Sequence, residues 1–270
     1  MLEATFKEME QSGWVAKARA YDSLLATITS QAIGPTLESF GSLTNRRFLD
    51  MACGTGHLAG NAAKQGAMSE GIDFASTMIA IAKSNYPNVK FTQGDVEQLP
   101  YEDKQFDAIA CAFGLLHLEH PEKAIKESWR VLKDGGRFCY TTWCGPDQGG
   151  EYFGLIIDAI KRHGTLAVSL PPAPPTFMYA DQEESKNALV SAGFKNTNIK
   201  RVVLKWHAKD PQDILDLLYK SIVRLTLVLE AQSEQVRKRI HSEILEVGRQ
   251  FQLGETLEFK FPIVLATAEK

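Results

Sequence analysis

From residue 47 onward, short apolar runs alternate with amphipathic stretches along the chain. The apolar runs read as strands: RFLDMA (47–52), MSEGID (68–73), VKFTQ (89–93), FDAIACAF (106–113) and GRFCYTTW (136–143). The stretches between them predict helices at 57–65, 75–85 and 121–132, with Gly66 and Gly135 as stop signals just past two helix ends. Strict strand–helix alternation predicts an α/β fold, a doubly wound parallel sheet with both faces covered.

Elements surplus to such a sheet flank it. Residues 2 to about 41 read as helices, with Trp14, Tyr21, Leu24, Leu25 and Ile28 at helical spacing. After Trp143 come a helix at 151–162, a segment LPPAPP (170–175) that no helix interior tolerates, and a helix at 181–192 ended by Gly193. A strand at 197–206, a helical block at 210–250 and a last strand at 257–268 complete the pattern. The expected organisation is one domain over 1–270: N-terminal helices (1–45), a ligand-binding core (46–145), and helical cover insertions at 146–180 and 210–250. Covers of this kind sit over the strand ends where open sheets bind ligands, and there they carry specificity.

Composition narrows the class. With 270 residues and 44% hydrophobic content the chain can bury a large core. A net charge of −3 gives no electrostatic reason to expect nucleic acid as a partner. No run reaches the roughly 18 apolar residues of a membrane span, and MLEATFKEMEQSGW lacks the apolar core of a secretory signal. Cys53, Cys111, Cys139 and Cys144 have neither paired nor metal-ligand spacing. They read as buried thiols in a reducing compartment, which predicts a cytoplasmic protein. No carboxylate set has convincing divalent-metal spacing, so no metal is expected.

The chemistry concentrates at residues 48–60, FLDMACGTGHLAG, where a strand ends in Asp50 and a glycine turn opens a helix. Gly54 and Gly56 would let a ligand approach bare backbone N–H groups. Asp73 closes the second strand and Asp95 lies just past the third, so carboxylates recur at intervals of 23 and 22 residues, one strand–helix unit each time. In a doubly wound sheet these strand ends line one crevice. An acid after the second strand accepts from both hydroxyls of a ribose, one after the third from an exocyclic amine, and one below the turn pairs with an ammonium group. Asp is also favoured at turns and helix caps, which serves each position taken singly.

The segments LDMACGTGHLA, GIDFASTMIAIAK, GDVEQLPYEDKQFDAI and LLHLEHPEKAIKESWRVLKDGGRF resemble the motif series of class I S-adenosylmethionine-dependent methyltransferases. The branch they are most similar to acts on small molecules and includes ubiquinone and menaquinone biosynthesis enzymes. The resemblance is strong over about 45–145 and weaker over Tyr179–Trp206 and the final strand. It implies a Rossmann-like seven-stranded sheet, mostly parallel with an antiparallel last strand, and S-adenosylmethionine as cofactor. It also implies that Asp50, Gly54 and Gly56 hold the methionine end, and that Asp73 takes the ribose hydroxyls with Phe74 and Met78 against the adenine. Asp95 and Val96 would then meet the adenine edge, while Phe113 and Gly114 offer backbone to the amino-acid moiety. Ala52 replaces a glycine of the family pattern, a small-for-small change expected to be neutral.

Gly54-x-Gly56-x-x-Ala59 also fits a dinucleotide fingerprint, with Asp73 as its ribose acid. Against that oxidoreductase reading, Asp50 beneath the turn would repel a pyrophosphate but suits a zwitterionic methionine tail. A cofactor-binding scaffold or cyclase on the same fold would carry the same motifs as a transferase.

Two residues are candidates for the chemistry. His117 matches a position where related enzymes carry a substrate-facing His, as general base or orienter; a structural imidazole bonded to backbone is the alternative. Tyr21, in ARAYDSLL, resembles an N-terminal motif whose Tyr reaches the site mouth, against the alternative of a packed helical aromatic. Trp143 is a candidate substrate wall, with Phe153, Phe177, Met178 and Tyr179 as weaker ones. The fourth strand is followed by AFGL rather than the Pro-Pro motif of nucleic-acid amino methylation, so a small-molecule acceptor is expected. The sequence carries no signal of oligomeric state.

Overall fold

A computed structural model describes residues 4–270. The predicted helical start at residues 2 and 3 lies outside them. Three N-terminal helices, α1 (Phe6–Ser23), α2 (Leu25–Thr29) and α3 (Ile33–Glu38), precede the sheet. The first is fixed by a reciprocal capping box in which the Thr5 hydroxyl and the Glu8 carboxylate each accept the other's backbone N–H.

The alternating core follows as β1 (Arg47–Met51), α4 (His57–Lys64), β2 (Met68–Asp73), α5 (Ser76–Asn85), β3 (Lys90–Gln93), β4 (Phe106–Ala112), α6 (Pro121–Val131) and β5 (Leu132–Trp143). Then come α7 (Glu151–His163), α8 (Gln182–Ser191), β6 (Lys195–Ala208), α9 (Gln212–Ser221), α10 (Arg224–Glu230), α11 (Glu234–Gly248), the two-residue β7 (Gln252–Leu253) and β8 (Thr256–Glu269). The sheet order is β3-β2-β1-β4-β5-β8-β6, with β7 on β8 as an eighth, minimal strand. Strands β1 to β5 pair in parallel, while β8 runs antiparallel to both β5 and β6. The last strand is thus the antiparallel one, as the family resemblance implied.

Strand order reverses at the β1–β4 boundary, where Asp50 is level with Ala110. The crevice beyond the carboxyl ends of these two strands is where such a sheet accepts a ligand. One expected boundary is wrong. Gly135 does not stop a helix: α6 ends at Val131, and Gly135 (φ +75°) lies inside β5, where the pairing with β4 jumps from Phe106↔Leu132 to Ala108↔Arg137. The extra residues bulge out of the ladder, and glycine supplies the left-handed turn they need. The insertion at 146–180 holds a single α-helix, α7; the proline-rich stretch runs irregularly beside it.

Candidate functional site

The turn after β1 is built by backbone geometry. Ala52 (φ +53°), Gly54 (φ +51°) and Gly56 (φ +85°) all take left-handed conformations, and so does Phe113 (φ +56°) just past β4. For Ala52 and Phe113 that conformation costs about 1–2 kcal/mol each, and such strain gathers at ligand sites. Gly114 is needed beside them, because a Cβ there would stand 2.6 Å from the Ala52 Cβ.

Asp73 holds the turn from the side. Its carboxylate accepts the Gly54 N–H and the Ala75 N–H, each at 2.9 Å. Asp50 is 1% exposed and accepts the Ala59 N–H of α4 at 2.9 Å. Burial pushes Asp50 up to about 8, opposed by the Ala59 bond and reinforced by the charge of Asp73. Burial also pushes Asp73 up to about 6, against its two backbone bonds and the pull of His117.

These residues line a long cleft made of two adjoining hollows, which share Tyr21, Ala52, Gly54 and Phe113. The larger, with about 690 Å³ of empty space partly open to solvent, is lined by Asp73, Phe74, Met78, Asp95, Val96 and Gly114 among others. The smaller is lined by Asp50, Thr55 and His57. The Thr55 hydroxyl is buried and has no hydrogen-bond partner among the described residues. One end therefore offers a carboxylate and an orphaned hydroxyl to a cationic or zwitterionic group, and the other offers carboxylates and apolar walls to a nucleoside.

Asp95 is occupied on one side: its carboxylate pairs with Lys7 of α1, which also reaches Glu97 at 2.9 Å. Gly56 lines neither hollow. A Cβ there would lie 2.7 Å from the Phe91 ring, so this glycine serves the packing of α4 on the sheet.

A second cavity, with about 1150 Å³ of empty space, adjoins the cleft across a wall of Trp14, Leu25, His117 and Trp143. It is lined by α1, α7, α9–α10 and the proline-rich stretch, with Phe153 and Phe177 in its wall; Met178 and Tyr179 fall outside it. His117 sits in a 3-10 turn after β4. Its ring is bonded not to backbone but to a side chain, with Nδ1 2.9 Å from Glu10 Oε2. Sequence reasoning missed Glu10. It is 1% exposed, on the buried face of α1 between Phe6 and Trp14, and it also accepts the Trp14 indole N–H at 3.1 Å. A carboxylate only accepts, so the bond places a proton on Nδ1, and in the neutral imidazole Nε2 is then the acceptor nitrogen.

Tyr21 packs edge-on to Trp14, and its hydroxyl lies 3.2 Å from Thr29 Oγ1. Burial pushes its phenol up to about 12, so Tyr21 is a neutral wall of the cleft at ordinary pH. His120 is the N-cap residue of α6 with a half-exposed ring. His57 opens α4, between Asp22 at 2.8 Å and Tyr86 at 2.9 Å.

A family model for the methyltransferase domain matches residues 49–140. A ubiquinone/menaquinone biosynthesis C-methyltransferase of Pseudomonas fluorescens is 31% identical over 185 residues, covering 59% of this chain and 69% of that one. The chain belongs to the class I S-adenosylmethionine-dependent methyltransferases. A demethylmenaquinone methyltransferase of Chlorobaculum tepidum is 42% identical over 91 residues, 33% of this methyltransferase-family chain and 38% of that relative. The chain thus spans less than half the length of such curated relatives. In fold it is similar to a phosphoethanolamine N-methyltransferase of Haemonchus contortus solved with phosphomonomethylethanolamine and S-adenosylhomocysteine. That likeness has a TM-score of 0.60 at 17% identity, covering 99% of this chain and 60% of the other.

Proposed function

We propose that this chain transfers a methyl group from S-adenosylmethionine to a small-molecule acceptor in the second cavity, with His117 as general base or orienter. The observation that carries the reading is His117, bonded to Glu10 and set in the wall common to the cofactor cleft and the second cavity. Bound in the cleft, the cofactor's sulfonium supplies a methyl group activated for in-line displacement.

The residues fit that cofactor. Asp73 would take ribose hydroxyls, Phe74 and Met78 would flank the adenine, and Asp95 and Val96 would meet its edge. Asp50, Ala52, Gly54 and the orphaned Thr55 hydroxyl would hold the methionine end, with Phe113 and Gly114 contributing backbone. Gly56 would act one step back, by shaping the turn.

Glu10 fixes the tautomer, so the His117 ring keeps an acceptor nitrogen for a proton leaving the nucleophile. Such a base contributes roughly 10²–10⁴-fold, and alignment of two bound partners up to about 7–11 kcal/mol. Tyr21 shapes the cleft rather than moving protons. The apolar walls and the quinone-biosynthesis relatives favour a small organic acceptor over nucleic acid. Four buried unpaired thiols favour a cytoplasmic setting.

Titration calorimetry with S-adenosylmethionine and its demethylated product tests the premise, and a radiolabelled methyl-transfer screen over small organic acceptors tests the reaction. His117→Ala should lower kcat by about 10²-fold or more. Near-wild-type kcat at every pH would remove His117 from the mechanism, and binding of neither ligand at millimolar concentration would end the whole reading.

A further inference from the structure

The second cavity is mostly apolar in its walls, and its polar lining residues include Glu10, His117, Thr176, Ser221 and Arg224. Ser221, the last residue of α9, is 0% exposed and lines the cavity, and among the described residues its hydroxyl has no hydrogen-bond partner. Leaving a buried hydroxyl unpaired is unfavourable, and native structures leave few of them without a reason. Three residues on, Arg224 opens α10 and lines the same cavity. Its guanidinium stands over the Phe6 ring at 5.6 Å and donates to the Pro171 carbonyl at 3.3 Å. Among the described residues no carboxylate forms an ion pair with it. Glu10, the acid that lines this cavity, is committed to Trp14 and His117.

We infer that the acceptor is an aromatic or polycyclic organic anion. Its flat body lies among Trp143, Phe153 and Phe177, and its anionic oxygens are taken by Arg224 and the Ser221 hydroxyl. This rests on reading the second cavity as the acceptor site. A neutral occupant would leave the guanidinium and the hydroxyl facing apolar surface. An anionic oxygen satisfies both through charge-assisted hydrogen bonds. The Pro171 bond and the Phe6 ring hold the Arg224 fork in place beforehand, so less side-chain freedom is lost on binding.

The test uses two dyes that differ by one anionic group, 8-anilinonaphthalene-1-sulfonate and N-phenyl-1-naphthylamine, in fluorescence titrations of the full chain. The sulfonate should bind at least about tenfold more tightly, the scale of a hydrogen bond to a charged group. Arg224→Met should erase that preference while leaving the neutral dye within about twofold, and Arg224→Lys should keep part of it. Ser221→Ala should weaken the sulfonate severalfold without lowering the melting temperature, because the hydroxyl it removes is unpartnered. Val168→Trp, which fills the cavity, should weaken both dyes. Equal affinity of the two dyes for the wild type, a preference that survives Arg224→Met, or dye binding indifferent to Val168→Trp would each overturn the inference. Dye binding involves neither cofactor nor methyl transfer, so a failed transfer screen and a failed anion preference are separate results.

Discussion

Binding of the cofactor should expel a proton from Asp50. In the empty protein its carboxyl sits at about 8, so at pH 7 about 0.9 of the molecules carry a proton there. A ligand ammonium group at that end of the cleft favours the ionised form and pulls the carboxyl down. Asp73, at about 6, is already about nine-tenths ionised at pH 7 and adds at most about 0.1 proton. Calorimetry of S-adenosylhomocysteine at pH 7 in phosphate and in Tris should therefore show release of about one proton, read from the difference in observed heat. The count should fall toward zero by pH 9. Asp50→Asn should nearly abolish it, as should 5′-methylthioadenosine, which lacks the ammonium. A release that persists in Asp50→Asn, or none in the wild type, would refute the placement of Asp50 against the ligand charge. The same shifts fix the sign for stability. Folding raises both carboxyls above their unfolded value near 3.9, so the empty chain binds more protons folded than unfolded, and this pair's contribution becomes more favourable as pH falls from about 9 toward 4.

Glu10→Gln keeps the volume but replaces charge-assisted bonds to His117 and Trp14 by neutral ones, so it should cost about 1–2 kcal/mol in urea unfolding, and Glu10→Ala more. If both variants stay within about 0.5 kcal/mol of wild type, the pair is not formed in solution. Ala52→Gly should raise stability by up to about 1 kcal/mol, because relief at φ +53° exceeds the added freedom of the unfolded chain. A lower melting temperature for that variant would mean that the Ala52 methyl contributes packing the turn depends on.

The sheet was legible because its strands are short apolar runs separated by well-signalled helices. The acids at the strand ends were legible because their spacing repeats one strand–helix unit. What stayed hidden depends on contacts between distant residues. Glu10 in an amphipathic helix reads as a solvated residue; its partner His117 lies 107 residues away, and nothing local announces the pairing. Gly135 reads as a helix stop because a glycine just past a helical run normally is one, yet here the same left-handed conformation serves a strand bulge. Gly56 shows the converse limit. A motif glycine reads as room for a ligand, but the atoms that exclude a side chain there belong to Phe91 and Ala82. Ala52 carries a hidden cost for a similar reason, since its identity is visible in the chain and its φ is not.

Helix α1 ties the two cavities together. Phe6, Glu10, Trp14 and Ala18 form its buried face, and Tyr21 continues into the cofactor cleft. Phe6 and Glu10 line the second cavity, Tyr21 the cleft, and Trp14 both. Near its start Lys7 pairs with Asp95 and Glu97, and further along Lys17 reaches the Tyr219 carbonyl. Partly exposed ion pairs of this kind are worth at most about 1 kcal/mol each, so the apolar face of the helix does most of the holding. That face is also the wall the two ligands would share. A ligand that packs against Trp14 or His117 from one side restrains the surface the other must meet. Affinities in the two cavities should therefore be coupled through one helix, with the coupling reciprocal by linkage.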